Sequence, residues 1–98
     1  MRGVVFDFDE PFCEANEISL TKNKFACKYL QGGYVYRIEA SSTDGTIYRG
    51  YWGTPDFDDD HTVEFTRFEN KTKEIVMLGA WRDTIHHNEG FYLVRLNR

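Results

Sequence analysis

Apolar and polar side chains alternate with a period of two along most of the chain, which is the spacing of strands that bury one face. From Gly3, the residues Val4, Phe6 and Phe8 fall on one side, and Asp7 and Asp9 on the other. Tyr34, Tyr36, Ile38 and Ala40 alternate with Val35, Arg37 and Glu39, and a further run occupies Thr46 to Trp52. Between these two runs stands Asp44-Gly45, a hairpin signal, because glycine supplies the positive φ of a tight turn. Val63 and Phe65 alternate with Thr62, Glu64 and Thr66, and Glu69 to Thr72 supplies turn residues. Two runs, Glu74 to Arg82 and Phe91 to Leu96, complete the set, joined by the polar stretch Asp83 to Gly90.

Residues 12 to 31 read in two ways. Glu14, Ala15, Leu20, Lys22, Lys24, Ala26 and Lys28 are good helix formers, so a short helix within 12–22 is one expectation. The other places strands at Glu17 to Thr21 and Phe25 to Leu30, with turns at Lys22-Asn23-Lys24 and Gln31-Gly32-Gly33; Ile18, Phe25, Cys27 and Tyr29 keep the two-residue period and favour it. The chain then holds about eight short strands with short connections, which pair antiparallel because parallel pairing needs crossovers of a dozen or more residues. A meander that closes removes its exposed edges. The expected architecture is a single all-β domain over residues 1–98, an antiparallel barrel or half-barrel with a calycin-like outline. No internal repeat or linker divides it.

Composition sharpens this reading. Aromatic residues make up 16% of the chain, 8 Phe, 6 Tyr and 2 Trp. Disordered chains are poor in such rings because they do not bury enough apolar surface to offset conformational entropy, so this chain is expected to fold. The net charge is −4 and no basic block occurs, which argues against nucleic acid as a partner. No stretch approaches the roughly 18 consecutive apolar residues of a membrane span, and no membrane partner is expected. MRGVVFDFDEPF carries acidic residues where a secretion signal needs an apolar run, so a cytoplasmic location is expected. There, Cys13 and Cys27 read as small buried hydrophobes rather than a disulfide. Asn70-Lys71-Thr72 reads as a turn.

Several constellations bear on chemistry. Val4-Val5-Phe6-Asp7-Phe8-Asp9 resembles the first motif of haloacid dehalogenase phosphatases, an apolar strand ending in Asp-x-Asp, where the first carboxylate attacks phosphorus and the second moves protons. The likeness covers six residues; Glu10-Pro11 replaces the usual Gly and Thr, and where the family's later acidic motif follows a lysine, the only acidic run here, Asp58-Asp59-Asp60, precedes Lys71 and Lys73. Asp56, Asp58, Asp59 and Asp60 suggest a calcium loop, but an EF-hand beginning at Asp56 requires Gly at its sixth place and Glu at its twelfth, and finds His61 and Arg67. These four aspartates read instead as an acidic surface for a protein partner. Neighbouring strand histidines face opposite ways, so His86 and His87 would share a metal only from a loop, and neither they nor His61 stands in a recognised ligand spacing. No nucleophile elbow or phosphate loop occurs. Neither a cofactor nor an enzymatic activity is expected.

Tyr34 and Tyr36 could form a base-stacking stripe, but the pattern shows no pair of helices of the kind that back such sheets. Gly50-Tyr51-Trp52 and Gly79-Ala80-Trp81 are similar to the Gly-x-Trp of lipocalin-type barrels, in which a ring plugs one end and an arginine such as Arg95 stacks on it. Two functions follow. The first is a non-catalytic interaction module with a filled interior, Phe6, Phe8, Tyr36, Ile38, Phe65, Met77 and Trp81 packed together, which contacts a protein through its acidic surface. The alternative is a lipocalin- or avidin-like binder of a small apolar or aromatic ligand, lined by Tyr48, Trp52, Trp81 and Arg95. Short strands favour the interaction module.

Overall fold

The computed structural model describes residues 1–7, 13–54, 61–83 and 87–97. Eight strands follow in order: β1 (Arg2–Asp7), β2 (Cys13–Leu20), β3 (Lys24–Gln31), β4 (Tyr34–Ser41), β5 (Ile47–Gly53), β6 (His61–Glu69), β7 (Glu74–Asp83) and β8 (Asn88–Asn97). Each pairs antiparallel with the next, and β1 pairs with β8 from Arg2↔Asn97 to Asp7↔Tyr92, closing the sheet into a barrel. Closure leaves no strand edge along that seam for another chain to extend.

Where a helix was one option, the chain forms β2, and a bulge accounts for the misleading pattern. Asn16 pairs with Lys28 but Ser19 pairs with Ala26, so β2 carries one residue more than β3 across this interval, and Glu17 takes φ 50° there. The extra residue shifts the inward phase from Cys13 and Ala15 to Ile18 and Leu20. A strict period of two is therefore broken inside a real strand.

The alternation of β1 is also displaced by one residue from expectation. Val5 is fully buried, while Val4 and Phe6 lie half-buried on the other face. Val4-Val5-Phe6 is apolar throughout, so local pattern does not choose the face; pairing of Val5 with Cys13 and Val94, both buried, does. Phe8 lies outside the described residues. Ile38, Phe65 and Met77 occupy the core as expected, with Tyr36 and Trp81 packed against it.

The interior is filled by side chains. Phe25 meets Phe65 edge-on at 5.6 Å, Phe65 stacks on Tyr92 at 6.0 Å, and Tyr92 meets Tyr29 edge-on at 6.0 Å. The buried hydroxyls of Tyr29 and Tyr92 hydrogen-bond to each other, which satisfies polar tips inside an apolar space. Cys13 and Cys27 are buried on the adjacent strands β2 and β3. Burial pushes the Cys27 thiol up to about 12. Outward positions carry charge instead, including Lys28, Glu39, Arg49, Glu64, Arg82 and Arg95.

Turn chemistry sets the ends. Gly32 and Gly33 both have positive φ, 58° and 83°, the requirement of a two-residue hairpin between β3 and β4. At the opposite end, Asp44 Oδ1 accepts hydrogen bonds from the Thr46 and Ile47 amides at 2.8 and 3.0 Å. The Ile47 and Thr46 amides, then Ser42, hold the Asp44 carboxyl below its ordinary value.

Candidate functional site: the aromatic end of the barrel

Strands β5 and β7 run in the same direction because each is two steps along an antiparallel meander. Two residues on from Gly50 and from Gly79, on the same inward face, therefore come Trp52 and Trp81 at the same end of the barrel. Their rings meet at 5.0 Å and 63°. Trp52 is the hub: it stacks on the His61 imidazole at 4.5 Å and lies 6.2 Å from Tyr36 and 6.1 Å from Tyr92. Glycine makes room for this cluster. A side-chain carbon at Gly90, which pairs with Trp81, would lie 2.6 Å from the Trp81 Nε1 and nearer still to the ring carbons beside it.

Polar groups are set among these rings. His61 pairs in register with Asp83, and both are buried. His61 Nδ1 stands 3.4 Å from Asp83 Oδ1, close enough for a charge contact but not aligned as a hydrogen bond. Among the described residues, four buried polar atoms lack a hydrogen-bond partner: Trp52 Nε1, Trp81 Nε1, His61 Nδ1 and Thr54 Oγ1. Buried polar atoms in folded proteins are nearly always paired, so four at one end mark a place where something further is to be bound or where stability is given up. Beneath them, the Tyr29 and Tyr92 pair closes the interior.

Of the four ligand-lining residues expected from sequence, the structure brings Trp52 and Trp81 together and places the others elsewhere. Tyr48 is fully buried toward the opposite end, where its hydroxyl donates to the Thr21 carbonyl at 2.7 Å and accepts from Arg67 Nη1 at 3.3 Å. Arg95 lies on the outer face, where its Nε donates to Glu74 Oε1 at 2.7 Å; that hydrogen bond holds the Glu74 carboxyl below its ordinary value and raises the arginine. It does not stack on an indole. The four expected partner-surface residues, Asp56, Asp58, Asp59 and Asp60, lie outside the described residues, as do Asp9 and His86. His87 is exposed in the turn before β8.

Sequence reasoning missed His61, Asp83 and Thr54 as members of this end. A signal for two of them existed: His61 is in phase with Val63 and Phe65, and Asp83 with Met77 and Trp81. Among the described residues no three His, Cys, Asp or Glu side chains converge to hold a metal ion.

A second surface feature lies outside the barrel. An open groove of about 1060 Å³ crosses the outer face of β5 to β8, bearing the exposed side chains of Tyr51, Leu78 and Phe91. Ion pairs flank it, Arg49 with Glu64 at 2.8 Å and Arg82 with Glu89 at 3.0 Å. No family model, curated protein or solved structure matches this chain, so fold and site are the whole basis for a functional reading.

Proposed function

We propose that the protein is a non-catalytic binding module that takes a small ligand at the aromatic end of its barrel. The observation that carries the proposal is the set of four unpartnered buried polar atoms grouped around Trp52. Ligand sites combine apolar and aromatic walls with a few placed polar groups, and this end has both. The filled centre of the barrel limits the ligand to what the end itself accommodates. Both tryptophans of the chain are at this end, so intrinsic fluorescence reports on it directly. The test is fluorescence and thermal shift against a library of small planar and apolar molecules. A saturable quench with a melting temperature raised by several degrees is expected, because a ligand that binds only the folded state stabilises it. If no compound at up to about 1 mM alters either signal, the proposal is wrong.

A contact with another protein is the second reading, favoured by the grouping of Tyr51, Leu78 and Phe91 in the outer groove. Exposed apolar patches rimmed by charge are a frequent feature of protein contacts. Affinity recovery with wild type and Phe91→Glu tests it, and equal recovery of every partner from both would sink it.

A further inference from the structure

We infer that the outer face of the barrel around Leu78 is a contact between two copies of this chain, with Phe91 of each copy seated in the groove of the other. The inference rests on the reading of that face as a protein contact, and it names the partner.

The apolar surface is broader than the groove. Outward positions of β6, β7, β8 and β1 fall into register: Phe68, Val76 and Val4 form one row, interrupted by Arg95, and Leu78, Leu93 and Phe6 form the next. Ala80 and Phe91 continue the apolar surface into the groove. A strand that faces water on its outer side carries polar residues there, so apolar side chains on both faces of β1, β7 and β8 signal that the outer side is also to be covered. Phe68, Leu78 and Phe91 stand 53%, 46% and 67% exposed. Four strands about 4.8 Å apart and seven residues long, at about 3.4 Å each, give this face a footprint of about 450 Å². Protruding rings and the flanking ion pairs raise its accessible area toward the roughly 800 Å² that each side of a stable protein pair buries.

Shape and charge select a second copy. A convex barrel wall touches a flat partner only over a narrow strip, but here the groove of about 1060 Å³ is a hollow, and the Phe91 ring beside it protrudes. One copy carries both halves of that fit, and a two-fold contact uses each of them twice. The face also balances its own charge: Arg95 pairs with Glu74, Arg49 with Glu64 and Arg82 with Glu89. Two copies therefore meet there across a neutral surface, although each chain carries a net −4. A strongly charged partner would find no complementary field in these pairs, and an anionic membrane no cationic rim.

Analytical ultracentrifugation of the wild-type chain, with its melting temperature followed against concentration, tests this. A dimer is expected by about 100 μM chain, with a melting temperature that rises with concentration because association stabilises the folded state. Phe91→Glu and Leu78→Glu each bring a carboxylate into the contact, and each is expected to weaken the dimer by at least about tenfold. Tyr34→Glu, at an exposed ring on the β3–β4 hairpin, is expected to leave it within about twofold. Both target side chains are exposed and on different strands, so a variant that fails to fold leaves the other, and the wild-type concentration series needs neither. A wild-type chain that stays monomeric to about 500 μM overturns the inference, as does a dimer that both variants leave intact. A monomer that pellets with neutral phosphatidylcholine vesicles assigns the face to lipid and overturns it equally. With a monomeric wild type, recovery of a partner by wild type but not by Phe91→Glu leaves the protein-contact reading standing, and equal recovery overturns both.

Discussion

Replacing Gly50 with alanine is expected to damage the barrel far more than its single added methyl suggests. The new carbon would lie 2.7 Å from the Ala40 Cα and 2.8 Å from the Glu39 carbonyl carbon, and closer still to the Glu39 oxygen. Comfortable carbon contacts are about 3.5–4.0 Å, so the neighbouring backbone must move by roughly 1 Å. That neighbour is β4, paired with β5 through Glu39↔Tyr51 and Ala40↔Gly50, and no flexible side-chain end can yield in its place. Overpacking costs about 1–3 kcal/mol, and one or two weakened ladder hydrogen bonds add about 1 kcal/mol each. Against this, alanine gains about 0.5–1 kcal/mol by restricting the unfolded chain. The net loss is about 1–4.5 kcal/mol, a large share of the stability of a domain this size, and a melting temperature lower by about 5–30 °C. Gly32→Ala serves as the control: nothing lies within 4 Å, and only its φ of 58° opposes the substitution, at about 1–2 kcal/mol. Urea unfolding followed by circular dichroism measures both. A loss at Gly50 no greater than that at Gly32 would refute the close approach of β4 and β5.

Three further outcomes are expected. Tyr48→Phe removes the donor to the Thr21 carbonyl and leaves Arg67 short of a contact, so it should lower stability by about 1–2 kcal/mol in urea titrations while leaving any ligand at the aromatic end bound as before; a selective loss of ligand would return Tyr48 to the site. Cys27, 2% exposed and with its thiol pushed up to about 12, should resist Ellman's reagent in the folded protein near neutral pH and react once urea unfolds the chain, and rapid native labelling of Cys27 would contradict its burial. Asp44 has a lowered carboxyl in the folded state, so its contribution is present above the unfolded carboxylate value and is lost as pH falls through the lower folded one. The stability difference between wild type and Asp44→Asn should therefore hold steady near neutrality and shrink below about pH 4; a difference unchanged down to about pH 2 would mean that the Ile47 and Thr46 amides do not favour the ionised form.

The strands from β4 onward were legible because their signals are local. Val63 and Phe65, or Tyr36, Ile38 and Ala40, alternate with polar neighbours, and only one face of such a strand can be buried. Gly32-Gly33 announced its turn for an equally local reason, since few other residue pairs accept positive φ in succession. The uniformly apolar start of β1 and the bulged β2 resisted the same reading. Periodicity is silent when both faces are apolar, and an inserted residue at Glu17 reverses it midway.

The candidate site was half legible. Gly-x-Trp repeated at Gly50 and Gly79 marked both indoles, but the arginine sought as their companion was Arg95, whose outward position on β8 commits it to Glu74. Tyr48 shares the inward face with Trp52 but stands four residues earlier along the same strand, which puts it toward the opposite end. Residue type alone does not distinguish depth along a barrel axis.

Taken by itself, the sequence determined that this chain is all-β, that its strands succeed one another as antiparallel neighbours, and that its aromatic residues supply the core, because alternation, turn chemistry and short connections act between residues near in the chain. Only the tertiary structure decided that β1 meets β8, and that His61, Asp83, Trp52 and Trp81, drawn from three strands, share one end. Those relations depend on the register of each pair and accumulate around the closed sheet, so a single bulge or one-residue slip would assemble a different set of side chains at the same end.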